Sequence, residues 1–454
     1  MILISQLDKP RETALIILND ITSKEAYLNI ALNNHLKNSE FGTQDRAFIT
    51  ELVYGVIKWQ LTLDYIISLF SKIKLSKMSQ WILNILRLGV YQIIFMDRVP
   101  ESAACNECVK LSKRYGHKAS SNFVNAVLRN VARNKNNIEY PDPNKDTIKY
   151  LSVKYSHPEW LVKYWTKWLG REFTENLLDA NNNPPELTIR TNTLKTNPSE
   201  LIARMNSEGV EAIHGKYVED ALILKGTVSV ADLKAHKTGL FQVQDESSML
   251  AVRILDPQPG ENVADLCSAP GGKTAYIAQL MKNRGMVLAR DVHPQKVKLV
   301  RDAASLLGID IVKTEVFDST VFDETLKEKF DRVLVDAPCT GLGIIRRKAD
   351  IKWRRKPEDL ESLRKIQIKI LDNAARYVKP GGVIVYSTCT IQKDENQGVV
   401  EAFLNEHPEF EKESLDGYIP ASLAGTTTKQ GFVQVFPHVH QIDGFFIARF
   451  RRSR

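Results

Sequence analysis

Asn262-Val263-Ala264-Asp265-Leu266-Cys267-Ser268-Ala269-Pro270-Gly271-Gly272-Lys273-Thr274 is the stretch whose reading decides the fold. The turn Pro259-Gly260 feeds a short apolar strand, the strand ends in a loop of small residues, and a helix from about Thr274 to Met281 follows. That order sets the free N–H groups of the helix start beside the carboxyl end of a parallel strand, the crevice where open α/β sheets bind ligands. Glycine admits a ligand close to the backbone because no Cβ intervenes. A phosphate-binding G-x-x-x-x-G-K-[ST] loop would need glycine where Cys267 stands, and G-x-G-x-x-G is absent too. What remains is a loop shaped for a small nucleoside-like cofactor. Asp291 ends the next strand about 25 residues on, close to the spacing at which an acid takes ribose hydroxyls.

From Glu261 strands and helices alternate. Strands are expected at Asn262 to Leu266, Met286 to Arg290, Ile311 to Val316, Arg332 to Asp336, and Val383 to Ser387 after a turn at Pro380-Gly381-Gly382. A long helix runs from about Pro357 to Val378, and the chain closes in a hairpin of Phe432 to Phe436 and Phe445 to Phe450. Alternation of this kind gives a parallel, Rossmann-like sheet with right-handed crossovers. Asp265, Asp291, Asp318 and Asp336 each fall at or just after a strand end, so they line one edge. A pocket of carboxylates suits a cationic ligand.

Asp265 to Thr274 resembles the S-adenosylmethionine loop of RNA cytosine-C5 methyltransferases. Asp336-Ala337-Pro338-Cys339-Thr340-Gly341 and Tyr386-Ser387-Thr388-Cys389-Thr390 resemble that family's two cysteine motifs. Asp45-Arg46, Glu51-Leu52-Val53-Tyr54-Gly55 and Arg87-Leu88-Gly89-Val90-Tyr91-Gln92 resemble an antitermination-factor (NusB-like) helical domain. The whole chain is thus similar to the Sun/Fmu-type (RsmB-like) 16S ribosomal RNA methyltransferases. The resemblance implies a class I methyltransferase domain using S-adenosyl-L-methionine. Cys267, Ser268, Ala269, Pro270, Gly271, Gly272 and Lys273 would hold the methionine part, Asp291 the ribose and Asp318 the adenine amino group, with Asp336 at the same edge. It also implies that Cys389 attacks cytosine, Cys339 assists release, and Asp336 hydrogen-bonds the ring nitrogen or amino group.

Two cysteines suit this chemistry. Carbon 5 of cytosine is too electron-poor to attack a methyl group unaided, and a thiolate adding at carbon 6 makes it nucleophilic. Such a cysteine must be accessible and ionisable. Amine or amide targets would need no covalent activation.

The chain of 454 residues suggests two to four domains, with 43% apolar residues sufficient for packed cores. A net charge of +8 favours a polyanionic partner. Five cysteines, no cleavable signal, and an apolar run (Trp81 to Phe95) too short and too polar for a bilayer point to a soluble cytoplasmic protein with reduced thiols. Cys105-x-x-Cys108 lacks a second pair or a spaced histidine, so two helix cysteines and no metal are expected.

Residues 1–142 read as an all-α, RNA-binding bundle, 143–235 as linker helices and a small α+β unit resembling an RNA-recognition fold, and 236–454 as the catalytic domain. Gln244-Asp245-Glu246-Ser247 is an N-cap signature at the entry to the last. Lys110, Lys113, Arg114, His117, Lys118, Arg129, Arg133 and Lys135 form a basic zone on the bundle. Arg190 (with Asn192, a family Arg-x-Asn), Arg346, Arg347, Lys352, Arg354 and Arg355 are candidate RNA contacts, with Trp353 a stacking platform for unpaired bases. The target cytosine would be single-stranded or flipped. The expectation is therefore a monomeric enzyme that forms 5-methylcytosine in small-subunit ribosomal RNA. Transfer RNA as substrate, or a non-catalytic NusB-like RNA-binding factor, are the alternatives.

Overall fold

Apolar residues recurring every three or four positions make the N-terminal part a set of helices. The computed structural model describes residues 7–37, 39–226 and 228–454. Its contacts divide into two units, Met1–Asn183 with Ile345–Arg354, and Pro184–Ile344 with Arg355–Arg454.

In the first unit, helix Gln80–Phe95 is buried without interruption from Ile82 to Ile93, so it forms the centre of the bundle. Each buried leucine or isoleucine there contributes about 1.5–3 kcal/mol relative to exposure. Arg87, which enters this core, is neutralised by a two-pronged bond to Asp64 at 2.7 Å per prong. Cys105 and Cys108 lie buried on helix Glu101–Tyr115, among the same apolar side chains. The helices Thr147–Tyr155, Glu159–Leu169 and Arg171–Asn182 pack with this unit, tied by Thr62 Oγ1 donating to the Val153 carbonyl at 2.6 Å.

The segment Ile345–Arg354 also folds within the first unit, and here the structure corrects three expectations. Lys352 is fully buried, and burial, then the nearby Lys58, pushes its ammonium well down. Trp353 donates its indole N–H to the Ile57 carbonyl at 2.7 Å and packs on the helical core. Neither is presented to a nucleic acid. Arg354 is likewise occupied, bonding Asp350 at 3.0 Å and the Glu25 carbonyl at 3.1 Å, and lying over the Tyr27 ring.

In the second unit, β1 (Leu187–Thr191), β2 (Ala212–His214), β3 (Ala221–Leu224) and β4 (Phe241–Val243) make an antiparallel sheet in the order β2-β3-β1-β4. It carries helix Pro198–Ser207 on an apolar face that includes Ile189, Leu201 and Phe241, giving a small ferredoxin-like layer. The larger sheet contains β5 (Asn262–Asp265), β6 (Met286–Asp291), β7 (Val312–Val316), β8 (Phe330–Asp336), β9 (Val378–Thr388), β10 (Phe410–Lys412), β11 (Phe432–Val435) and β12 (Phe445–Arg452). Its order is β10-β12-β9-β8-β5-β6-β7, with β11 also pairing β12. β5 to β9 are mutually parallel, and β12 runs antiparallel to β9. This is the methyltransferase variant of the doubly wound sheet, with its hairpin as expected.

One boundary differs. Pro380-Gly381-Gly382, expected as a turn before the strand, lies inside β9, where the register slips between Phe330↔Val378 and Arg332↔Val383. The strand bulges around these residues rather than starting after them.

Candidate active site

β5 and β8 are neighbours, yet the chain leaves β5 for β6 on one side and later returns to β8 on the other. The carboxyl ends of such a pair open a crevice at the switch point. Three loops from β5, β8 and β9 end there.

The β5 loop is fixed to β6 by Ser268, whose N–H and hydroxyl donate to the Arg290 carbonyl at 2.8 and 3.0 Å. Gly271 has φ +105°, and a Cβ on it would press 3.0 Å from the Val300 Cα. Thr274 donates its hydroxyl to Asp265 Oδ2 at 2.7 Å, while Asp265 Oδ1 is buried with no partner among the described residues. Burial, partly offset by the Thr274 bond, pushes the Asp265 carboxyl up to about 7. Burial and then the carboxylates of Asp265, Asp336 and Asp291 raise the Cys267 thiol well above its ordinary value, so this sulfur stays protonated.

Asp291 is half-buried and accepts from the His293 N–H at 3.0 Å. Asp318 is exposed, and the Thr320 hydroxyl and N–H hold its carboxyl below the usual range. Carboxylates at successive strand exits, an acceptor oxygen lacking a donor among the described residues, and a loop with no room for a side chain at Gly271 fit a cationic, hydroxyl-bearing nucleoside such as S-adenosyl-L-methionine.

Asp265 also gives the protein a pH dependence. Its folded pKa lies above the unfolded one, so the folded state binds the extra proton. The contribution of Asp265 to stability is therefore full below about pH 4 and is lost as pH rises through 7, by up to about 4 kcal/mol. Asp265→Asn, which cannot ionise, should flatten this slope in urea denaturation between pH 5 and 8. An unchanged slope would remove Asp265 as its source.

The reacting groups come from β8 and β9. Their register aligns Asp336 with Ser387, whose hydroxyl donates to Asp336 Oδ1 at 2.8 Å. Lys273 Nζ donates to Asp336 Oδ2 at 2.8 Å and to Ser248 at 3.3 Å. Burial works against the Lys273 charge, but Asp336 and then Cys389 hold its pKa above the ordinary lysine value. A fixed cation thus lies beside Cys389. The Sγ atoms of Cys339 and Cys389 are 3.4 Å apart, both half-buried. The hydrogen bond to Cys389 comes first, burial second and the charges of Cys389 and Glu395 next in raising the Cys339 thiol well above its usual range. Cys339 therefore holds its proton more firmly, with the Cys389 sulfur within hydrogen-bond distance.

Arg190 does not reach a surface. It is buried, donating to the Gly272 carbonyl at 2.7 Å and to Gln242 at 3.0 Å, bonded to Gln244, and lying over the Tyr276 ring. The alternation of β1 marks its side but not what covers it. It supports the glycine loop from behind instead of meeting RNA. Asn192 is also buried, bonding the Gly239 and Leu307 carbonyls at 2.9 Å each. Arg355 turns inward as well, donating to the carbonyls of Thr340 at 2.8 Å and Cys339 at 3.2 Å. Arg346 and Arg347 are half-buried. On the helical unit Lys113, Arg114, His117, Lys118, Arg129, Arg133 and Lys135 are exposed, with Arg114 paired to Glu12 at 3.1 Å and Lys135 to Glu101 at 2.5 Å.

Gly343 escaped the sequence reading. Its N–H donates to the Cys389 carbonyl at 3.0 Å, and its carbonyl accepts from the Gly444 N–H at 2.9 Å. A Cβ there would fall 2.0 Å from the Gly444 carbonyl oxygen and 2.9 Å from that of Cys389. Backbone cannot swing aside as a side chain can. Gly343→Ala should destabilise the protein by about 3 kcal/mol or more in urea denaturation; a loss under about 0.5 kcal/mol, the range of ordinary surface changes, would contradict this packing.

Comparison with known proteins agrees with this fold. Residues 252–451 match the family described as 16S rRNA methyltransferase RsmB/F, residues 8–133 the NusB family, and residues 157–231 a ferredoxin-like domain of RsmF/B-like methyltransferases. The chain is 42% identical over 446 residues to the "Probable ribosomal RNA small subunit methyltransferase B" of Bacillus subtilis, covering 98% of each. It is 31% identical to ribosomal RNA small subunit methyltransferase B of Yersinia pseudotuberculosis, covering 97% of each. The crystal structure of PH0851 is similar at TM-score 0.81 and 30% identity, over 98% of this chain and 99% of that one.

Proposed function

The chain belongs to the ribosomal RNA small subunit methyltransferase B family, and from that premise we propose that it forms 5-methylcytosine in 16S ribosomal RNA through a covalent enzyme–cytosine adduct. The observation that carries the reading is the pair of sulfurs 3.4 Å apart beside the Lys273–Asp336 ion pair. One cysteine at a cofactor edge is compatible with a packing role. A firmly protonated thiol within hydrogen-bond distance of a second sulfur, with a cation nearby, fits an assistant beside an activated nucleophile.

S-adenosyl-L-methionine, when bound at the β5 loop, supplies an electrophilic methyl group. The Cys389 thiolate adds to carbon 6 of a flipped cytosine; the S–C6 bond forms and the C5–C6 π electrons make carbon 5 nucleophilic. Asp336, oriented by Lys273 and Ser387, meets the ring nitrogen or amino group. Once carbon 5 carries the methyl, its proton passes to water, the C5–C6 double bond re-forms, and the S–C6 bond breaks. The Cys339 thiol, hydrogen-bonded to that sulfur, stabilises the departing thiolate. Polyanion binding falls to the exposed basic face of the helical unit, with Arg346 and Arg347 as further candidates.

The test is incubation of the purified protein with methyl-labelled S-adenosylmethionine and deproteinised 16S RNA from cells lacking it, followed by bisulfite sequencing. A single protected cytosine is expected. Label appearing only in transfer RNA, or on another base, would sink the assignment.

A further inference from the structure

Thr340 and Thr390 each directly follow a cysteine, and their hydroxyls lie 2.9 Å apart. Glu395 joins them. Its carboxylate accepts from the Thr340 N–H at 2.8 Å, from the Thr340 hydroxyl, and from Gln367 Nε2 at 2.9 Å. The same Gln367 amide donates to the Pro338 carbonyl at 2.9 Å, on the other side of Cys339. Asn396, next in the chain, donates to the Thr390 carbonyl at 3.1 Å and accepts from the Thr388 hydroxyl at 2.6 Å. The Tyr386 hydroxyl holds the Glu395 main-chain carbonyl at 2.6 Å. Glu395 and Asn396, together with Gln367, therefore reach the residues immediately before and after both cysteines.

Glu395 has no solvent exposure, and burial pushes its carboxyl above the usual range, partly offset by the neutral donors Thr340, Gln367 and Thr390. A buried carboxylate without a counter-ion is costly, and a neutral side chain would be cheaper. Only an ionised carboxylate accepts from every donor here, because an amide in its place would turn an N–H toward one of them. The Thr340 hydroxyl donates to Glu395 and lies 2.9 Å from the Thr390 hydroxyl, so the carboxylate and both threonines form one connected cluster across the two loops.

We propose that Glu395 is a positioning residue for the two thiols, its carboxylate clamping the loops that carry Cys339 and Cys389 so that the sulfurs remain in contact. It rests on the reading above that both thiols take part in the reaction. Its charge also opposes ionisation of Cys339, keeping the proton on that thiol.

Two measurements separate this role from simple structural support, using wild type, Glu395→Gln, Thr340→Val and Thr340→Ser, each first checked for a native melting transition. The first is disulfide formation with diamide, in which the two thiols give up two hydrogens, the S–S bond forms, and the diazene is reduced to the hydrazine. Mass spectrometry reads the loss of two hydrogens. Cross-linking should slow about tenfold or more in Glu395→Gln and Thr340→Val, and Thr340→Ser should restore most of the rate. The second is methyl transfer, where kcat should fall about tenfold to a hundredfold in the same two variants while affinity for S-adenosylhomocysteine stays within about twofold. Wild-type cross-linking and turnover in folded Glu395→Gln or Thr340→Val would overturn the proposal. Absence of 5-methylcytosine from the wild type would instead sink the catalytic reading, and the diamide rates would still judge the clamp.

Discussion

Cys389→Ala is expected to lower 5-methylcytosine formation by roughly a thousandfold or more and to leave no covalent RNA complex on denaturing gels. Without the sulfur, carbon 5 has no route to nucleophilicity, and no other thiol in the crevice replaces it. Cys267 is held protonated by burial and three carboxylates, and Cys339 keeps its proton through its bond to Cys389, burial and nearby charge. Cys339→Ala should behave differently. Addition at carbon 6 can still occur, but the departing sulfur loses the donor 3.4 Å away, so an enzyme–RNA adduct should accumulate and migrate slowly on gels. Turnover falls in both variants, so the adduct distinguishes them. An adduct trapped in Cys389→Ala and missing from Cys339→Ala would exchange the two roles.

The residues of the proposed site were legible because their determinants are local. A glycine loop after a strand, an acid at each strand exit and a cysteine just past two of them all occupy a few consecutive residues. Chain connectivity then brings the exits to one edge. The basic residues were not legible in the same way. Arg190 lies on a strand whose alternation says which side it faces, but not that Gln244, Tyr276 and Gly272 close over it. Lys352, Trp353 and Arg354 look like a solvated basic run, yet they fold within the helical unit against residues some 300 positions earlier. Charge in sequence reports demand for a partner and does not say whether the chain itself supplies one. Glu395 was overlooked for the converse reason. An acid in a polar loop reads as exposed until its donors, Thr340 and Gln367, arrive from β8 and from the helix Pro357–Tyr377.

Lys273→Met should have the next largest effect, and through charge more than shape. Methionine keeps the approximate length and the apolar stem, and it loses the ammonium that lies 5.1 Å from the Phe445 ring centroid. What vanishes is the ammonium between Asp336 and Cys389. Two unit charges about 4 Å apart at an effective dielectric near 20 attract by about 4 kcal/mol, which bounds the loss at roughly a thousandfold. Screening and relaxation reduce this, so kcat/KM should drop about a hundredfold to a thousandfold. The pH dependence gives the sign. A thiolate deprived of its neighbouring cation forms only at higher pH, so the rate of adduct formation, followed in the Cys339→Ala background, should shift its rise to more alkaline pH. Loss of activity with an unmoved pH profile would mean that Lys273 serves only to orient Asp336 and contributes nothing to the charge on sulfur.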